Sequence, residues 1–361
     1  MTFFARTIRT PSSLATSDEQ TFALRRGRAQ WAVIVLWAVV LLALPTVVST
    51  YWLHLSVNCL IAIIGAVALN ILTGNARLVS LGQAAFIGIG AFTAGLLERA
   101  YSIPFLLALV AAALSGGIVG TLVALLSLRL RVLYVAVTTL VLHFAVVTLF
   151  SFVQAVFLDS TGIILSIPQL GPFELTTPMR WYYFLLPVAA IVVLGAFNLL
   201  RSFVGRRWIA VGEHDVAAEA LGVSVTHAKV SVFAATSAVV SVAGALSAYY
   251  VGTVSFESYN FTLAISYLAM IIVGGVGSVI GSILGAVLIT LLPPVLDQLL
   301  IVLQIPVRAN VLAGLHQTAF GLLIVLFLLF EPRGLAEIWH RVRSAVADWP
   351  FRYRSAQRGS A

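Results

Sequence analysis

The chain has 361 residues, 61% of them hydrophobic and 9% charged, and a mean hydropathy of +1.06. An ordinary soluble domain carries about 25% charged residues, so this composition excludes a pair of water-soluble domains and requires that most of the exterior face lipid. The net charge of +8 comes mainly from arginines at the two termini and in one internal loop, with apolar runs between; that pattern marks the flanks of membrane spans and excludes a nucleic-acid-binding face.

The first element is an N-terminal arm, residues 1–30, with Arg6, Arg9, Arg25, Arg26 and Arg28. The run Trp31–Thr50 that follows has no small-x-small cleavage pattern and reads as an uncleaved anchor. A spanning helix needs about 20 mostly apolar residues. Further runs of that kind are Leu55–Gly74, Gln83–Leu97, Pro104–Leu128, Val132–Leu158, Trp181–Leu200, Val230–Gly252, Thr262–Leu296 and Val311–Phe330, each free of Asp, Glu, Lys and Arg. Trp31, Tyr51, Trp52, Tyr101, Trp181, Tyr182 and Tyr250 stand near their ends, as an interfacial belt would. The fold class expected is all-α: a polytopic membrane protein with about 8–10 transmembrane or re-entrant helices over residues 31–331.

Within the second and third runs lies LTGNARLVSLGQAAFIGIGAFT, Leu72–Thr93. Gly82, Gly88 and Gly90 allow backbones to approach closely in lipid, which tight helix packing alone would also use. The polar stretch ending at Gln83 needs a cavity or a protein partner for its backbone groups. Gln83–Leu97 is short and glycine-rich, so it spans with help from its neighbours or is re-entrant. Cys59, inside the run before, is the single cysteine, so no intramolecular disulfide is possible. His143, near the middle of its run, reads foremost as a packed helix histidine and secondarily as lining a pathway.

The internal loop, residues 201–229, carries Arg201, Arg206, Arg207 and Lys229. Its core, GRRWIAVGEHDVAAEALGV (Gly205–Val223), reads as a short amphipathic helix. Glu213, Asp215 and Glu219 are its acids, Asp215 and Glu219 share a face, Ala218 and Leu221 belong to an apolar face, and Gly222 ends it. A charged helix between two spans has no packing partner in the membrane, so a docked protein is its natural use. A solvated surface helix is the plainer alternative.

The next signal is GGVGSVIGSILG, Gly274–Gly285. Thr262–Leu296 is 35 residues long, too long for one ordinary span, and Gly274, Gly275 and Gly277 are placed to break it. Gly277, Gly281 and Gly285 fall at small-xxx-small spacing on one helix face. Splitting this run restores parity. The arm, the loop 201–229 and the tail 332–361, with Arg333, Arg341, Arg343, Arg352, Arg354 and Arg358, then all lie in the cytoplasm, and Asp159 and Glu174 lie outside.

Catalytic motifs do not appear. The single lysine is preceded by Thr-His-Ala, so there is no P-loop; there is no zinc helix and no nucleophile elbow. No catalytic residue, metal ligand or cofactor is expected. A membrane-embedded enzyme and a stand-alone secondary carrier are both disfavoured, the latter because the runs contain no carboxylate.

These stretches, in this order and with the FEPRGL ending, resemble the permease family of branched-chain amino-acid ABC importers, the LivM-type subunit. The likeness covers roughly residues 55–335. It implies a bacterial inner-membrane permease that works with a second related permease, two cytoplasmic ATPase subunits and a periplasmic or extracellular solute-binding protein. It also implies that Gly205–Val223, with Arg206, Arg207, Glu213, Asp215, Glu219 and Gly222, is the ATPase-coupling segment. Gly82, Gln83, Gly88, Gly90, Gly274, Gly275 and Gly277 are the candidate pathway or hinge residues. Relatives that carry urea or short amides share the pattern, and carriage of an apolar amino acid ranks first.

Overall fold

A computed structural model describes residues 39–128, 132–157, 162–171, 173–303, 309–331 and 334–347. The chain divides into two units, Met1–Ser49 and Thr50–Ala361. In the first, residues 39–47 are helical. The arm, the start of the run Trp31–Thr50, Arg129, Arg131, Asp159, Arg333 and the end of the tail lie outside the described residues.

The second unit is a helical bundle. Its elements are α1 (Thr50–Asn70), a π-helical turn (Ile71–Asn75), α2 (Gln83–Tyr101), α3 (Phe105–Ser127) and α4 (Val132–Phe157), followed by the short strands β1 (Ile163–Ile164), β2 (Gln169–Leu170) and β3 (Phe173–Glu174). Then come α5 (Pro178–Arg201), α6 (Phe203–Glu213), α7 (Asp215–Ala220), α8 (Val225–Val251), β4 (Thr253–Val254) and a 3-10 turn (Phe256–Tyr259). The chain continues through α9 (Phe261–Gly274), α10 (Val279–Val302), α11 (Ala309–Phe330) and α12 (Gly334–Ala347). Among the described residues, six helices are long and apolar enough to cross a membrane: α1 with its π turn, α3, α4, α5, α8 and α10.

A helix that is apolar on all sides has no reason to keep a face toward water, and its position follows from packing alone. In α1 83% of the most apolar stretch is buried, so it is the central strut; in α5 the figure is 17%, and α5 lies at the periphery. Small residues decide the next layer. A Cβ on Gly90 of α2 would come within 2.6 Å of Ser241 Cα on α8, and one on Gly244 of α8 within 2.8 Å of Ile87 Cα on α2. Gly120 of α3 meets Ser237 from the other side. Thus α8 is clasped between α2 and α3 at backbone contact.

Two helices begin inside the bundle. Gln83 Nε2 donates to Gly65 O at 3.1 Å, and Gly65 lies about 15 Å of helix rise before Asn75. The chain from Asn75 to Gly82 therefore folds back, and α2 starts at mid-depth with Gln83 2% exposed. At the other end, Tyr259 is buried against Gly88 and Phe92, and Phe261, which opens α9, lies 5.8 Å from the His143 ring. With 14 residues α9 rises only about 21 Å. The re-entrant expectation for Gln83–Leu97 thus becomes a buried helix with an interior start.

The predicted break in Thr262–Leu296 is present: α9 ends at Gly274, Gly275 and Gly277 take φ of 117° and 85°, and Ser278 Oγ caps α10 by accepting from Gly281 N at 3.1 Å. Gly281 and Gly285 then pack on Gly274. Gly277 does not share their helix face, because it lies in the break itself. The aromatic belt is also corrected. Tyr51, Trp52 and Tyr101 are exposed, but Trp181 and Tyr182 are 4% and 2% exposed and are packed inside the protein, where Trp181 meets Phe105, Phe184 and Tyr250 edge-on.

At one end of the bundle, β1 pairs antiparallel with β4 (Ile163 opposite Val254) and β2 with β3 (Gln169 opposite Glu174). This β end was not anticipated in an all-α reading. Glu98, at the end of α2, accepts from Ser166 N at 2.8 Å and from the Ser166 hydroxyl, tying the loop to the bundle. The opposite end carries α6 and α7.

Candidate functional site

The segment Gly205–Val223 is not one helix. Ser202 caps α6 by accepting from Gly205 N at 3.3 Å, α6 ends at Glu213, His214 is extended (φ −152°, ψ 101°), and α7 runs from Asp215 to Ala220. The division falls just after the point where α6 docks on the bundle. A Cβ on Gly212 would come within 2.8 Å of Ala76, so α6 rests directly on the backbone after the π turn. The next residue, Glu213, is held by Arg77 at 2.5 Å.

The two helices divide the labour between anchoring and display. Trp208 and Val211 are buried, and Trp208 Nε1 donates to Ser231 Oγ of α8 at 2.9 Å. Sequence reading missed Trp208; its place one turn from Gly205 and Gly212 on the α6 face was the available signal. Arg206 and Arg207 are exposed, with Arg206 Nη1 donating to Arg201 O and Arg207 lying 3.8 Å over the Phe203 ring. On α7, Asp215 and Glu219 are exposed as expected, and Asp215 lies 3.8 Å from Lys229. Ala218 and Leu221 do not share an apolar face. Ala218 is 3% exposed and turned inward, whereas Leu221 and Val216 are 86% and 77% exposed. Gly222 has φ +84° and ends the element as predicted.

The helix break sits against the same corner. Asn70, at the end of α1 and 2% exposed, donates from Nδ2 to Ser278 O at 2.8 Å and to Ser282 Oγ at 2.6 Å. Its Oδ1 accepts from Gly277 N at 2.8 Å. A Cβ on Gly74 would meet Gly277 Cα at 2.7 Å, and one on Gly334 of α12 would meet Gly275 N at 2.6 Å. The break is therefore gripped from both sides, and its amide partner was not among the residues singled out in the sequence.

The remaining candidates line the interior. Gly82 faces Thr139 O at 2.8 Å (measured from a hypothetical Cβ), and Leu81 N donates to Thr139 Oγ1 at 2.9 Å. Gly88 fits beneath Phe150 and Tyr259, and Gly90 against Ser241. His143 is 1% exposed, with Nδ1 buried and without a hydrogen-bond partner. Gln83, Gly88 and Gly90 thus lie in α2 with Gly82 at its N-cap, whereas Gly274 ends α9 and Gly275 and Gly277 form a separate break. A groove of about 800 Å³ opens at the β end, lined by Glu98, Arg99, Phe105, Ser166 and Tyr249 among others.

The absence of acids from the spans also needs correction. The predicted run Thr262–Leu296 stopped one residue short of Asp297, which α10 includes as it continues to Val302; its Oδ1 lies 2.8 Å from His316 Nε2 of α11. The pair is about 27 Å of helix rise from the break.

Interrupted helices, interior helix starts and a charged elbow outside the bundle define the class: an all-α polytopic membrane protein. Residues 51–330 match the family described as "Branched-chain amino acid transport system / permease component", and the chain belongs to that family. It is 32% identical over 271 residues to the high-affinity branched-chain amino acid transport system permease protein LivM of Salmonella typhimurium, covering 66% of this chain and 62% of that protein. The LivM protein of Escherichia coli is 31% identical over 276 residues, covering 68% and 63%. The match thus spans a little under two thirds of the relatives' length. No solved structure matches the chain.

Proposed function

We propose that this chain is the membrane-spanning permease subunit of an ATP-binding-cassette importer for branched-chain or other hydrophobic amino acids. The observation that carries the reading, within the family, is the α6–α7 elbow. It is bolted to the bundle through Trp208, Gly212 and Glu213, yet it holds Val216 and Leu221 out in the open beside Asp215 and Glu219. Exposed apolar side chains ringed by charge suit a protein interface, in which the apolar groups fill a groove and the carboxylates set register. Two cytoplasmic ATPase subunits would take this surface, one on this chain and one on a second, related permease.

The arginine distribution supports placing the α6 end, both termini and the elbow in the cytoplasm of a bacterial inner membrane. The β end then faces outward, toward a solute-binding protein. The break at Gly275 and Gly277, with the interior starts of α2 (Gly82, Gln83, Gly88, Gly90) and α9, would supply the moving parts of the pathway. The urea or short-amide version of the same machine is the alternative for the solute. Purification of the tagged chain from its native membrane tests the assembly: two P-loop ATPases and a second permease should accompany it, and their loss in Glu219→Lys, with the chain still inserted, should follow. Recovery of the chain free of any ATPase under conditions that retain uptake activity would refute the reading.

A further inference from the structure

The elbow and the helix break lie at one corner, and a single buried side chain joins them. Following the contacts outward from α6, Gly212 rests on Asn75 and Ala76, and Glu213 holds Arg77. Arg77 has φ +54°, the left-handed region that a side chain of its kind occupies at a cost, so the contact with α6 keeps a strained residue in place. Immediately before it is the π-helical turn Ile71–Asn75, whose extra residue per turn is a local fault in the hydrogen-bond ladder; such faults recur where helices must change shape. Before that turn stands Asn70, whose amide makes three hydrogen bonds, to the break at Gly277 N and Ser278 O and to Ser282 Oγ in the first turn of α10.

Packing alone does not call for an amide here. The neighbours of Asn70 in α1, Leu69 and Ile71, are apolar and buried, and an apolar side chain would fill the same space without the cost of desolvating a carboxamide. An asparagine with both functional atoms satisfied by one segment specifies that segment's position relative to α1. The glycines on either side explain why position matters. Gly74 lets Gly277 approach, and Gly334 presses on Gly275 from α12, so the break has little room to shift unless Asn70 shifts with it.

We infer that Asn70 is the pivot through which movement of the α6–α7 elbow reaches the α9–α10 break, with the π-helical turn as the lever between them. The inference rests on the proposal that an ATPase moves the elbow. In this arrangement a push on α6 displaces Asn75–Arg77, the π turn transmits the displacement to Asn70, and the amide carries Gly277 and the start of α10 with it. Asn70 is a positioning residue and touches no solute.

The test uses the whole complex, with second permease, both ATPases and binding protein, reconstituted in lipid vesicles. Asn70→Ala should lower solute uptake per ATP hydrolysed at least about fivefold, the lower end of ordinary allosteric coupling, while loaded binding protein still stimulates hydrolysis. A reporter separates a pivot from a merely structural contact. Val276, 55% exposed in the break, is changed to Cys in a Cys59→Ser background, and its thiol labelling rate is compared with and without a trapped ATP-bound state. With Asn70 present the two rates should differ; in Asn70→Ala they should become equal.

Should Asn70→Ala fail to assemble, Ser282→Ala removes only one of the three bonds and should show a smaller loss of the same nucleotide dependence. Full retention of that dependence and of the uptake-to-hydrolysis ratio in the assembled variant overturns the pivot and leaves the transport reading intact. If the unaltered complex shows no effect of ATP on either uptake or labelling, the transport reading itself falls, and the pivot with it.

Discussion

Among the described glycines, the tightest approach to a neighbouring backbone makes a sharp prediction: Gly90→Ala. The added methyl would stand 2.6 Å from Ser241 Cα and closer still to its carbonyl oxygen. Carbon pairs rest at about 3.5–4.0 Å, so α2 and α8 would have to separate by about 1 Å. The obstruction is backbone, so no side-chain rotation relieves it, and the same separation would break the bond from Ser241 Oγ to Phe86 O, now 2.8 Å. Overpacking of a filled core costs about 1–3 kcal/mol, and this geometry belongs at the upper end. At roughly 2 °C per kcal/mol for a chain of this size, the thermal midpoint should fall by about 6 °C. The matched control is Gly195→Ala on α5, where a Cβ meets nothing within 4 Å. It should be neutral or stabilising by up to about 1 kcal/mol, because alanine is the better helix former. The assay is thermal unfolding of the detergent-solubilised complex followed by size-exclusion fluorescence. Equal midpoints for the two variants would refute the claim that α2 and α8 touch through their backbones.

Gly222→Asp should weaken ATPase association, since Gly222 holds φ +84° at the end of α7 and a β-carbon there is strained; wild-type assembly in co-purification would count against it. Replacing Gly277 by Leu should abolish uptake while leaving insertion unchanged, because φ +85° is strained for a residue with a β-carbon; normal uptake would assign Gly277 no essential part. A cysteine at position 217, in a Cys59→Ser background, should resist an impermeant external reagent in intact cells and react in inside-out vesicles; the opposite pattern would invert the topology. Asp297→Asn should leave uptake driven by ATP, and a switch of the wild-type protein's uptake to dependence on a proton gradient would argue for a carrier built on Asp297 and His316.

Much of the architecture could be read from residues whose physics is local. Gly275 and Gly277 broke the long run because few other residues accept a positive φ, and Gly222 ended its helix for the same reason. The elbow was harder. Ala-rich, charged sequence around His214 is compatible with one continuous helix, whereas the structure divides it at His214, next to the point where Gly212 and Glu213 dock on residues more than a hundred positions earlier. Asn70 was invisible for a related reason: one asparagine at the end of an apolar run looks like an ordinary helix terminus until its partners at 277, 278 and 282 are brought beside it. Asp297 escaped because hydropathy ends a segment at the first charge, whereas a helix continues wherever the backbone is satisfied and the charge has a partner such as His316. Trp181 and Tyr182 show the same limit in reverse, since composition does not distinguish an aromatic at the lipid rim from one packed inside.

The most direct measurement is uptake by the reconstituted complex in vesicles that contain or lack ATP, with radiolabelled leucine, isoleucine, valine and urea offered in turn through the loaded binding protein. The account predicts accumulation of the branched-chain amino acids only when ATP is present, and none of urea. Accumulation by this chain without ATPase subunits, or of urea in preference to the amino acids, would contradict it.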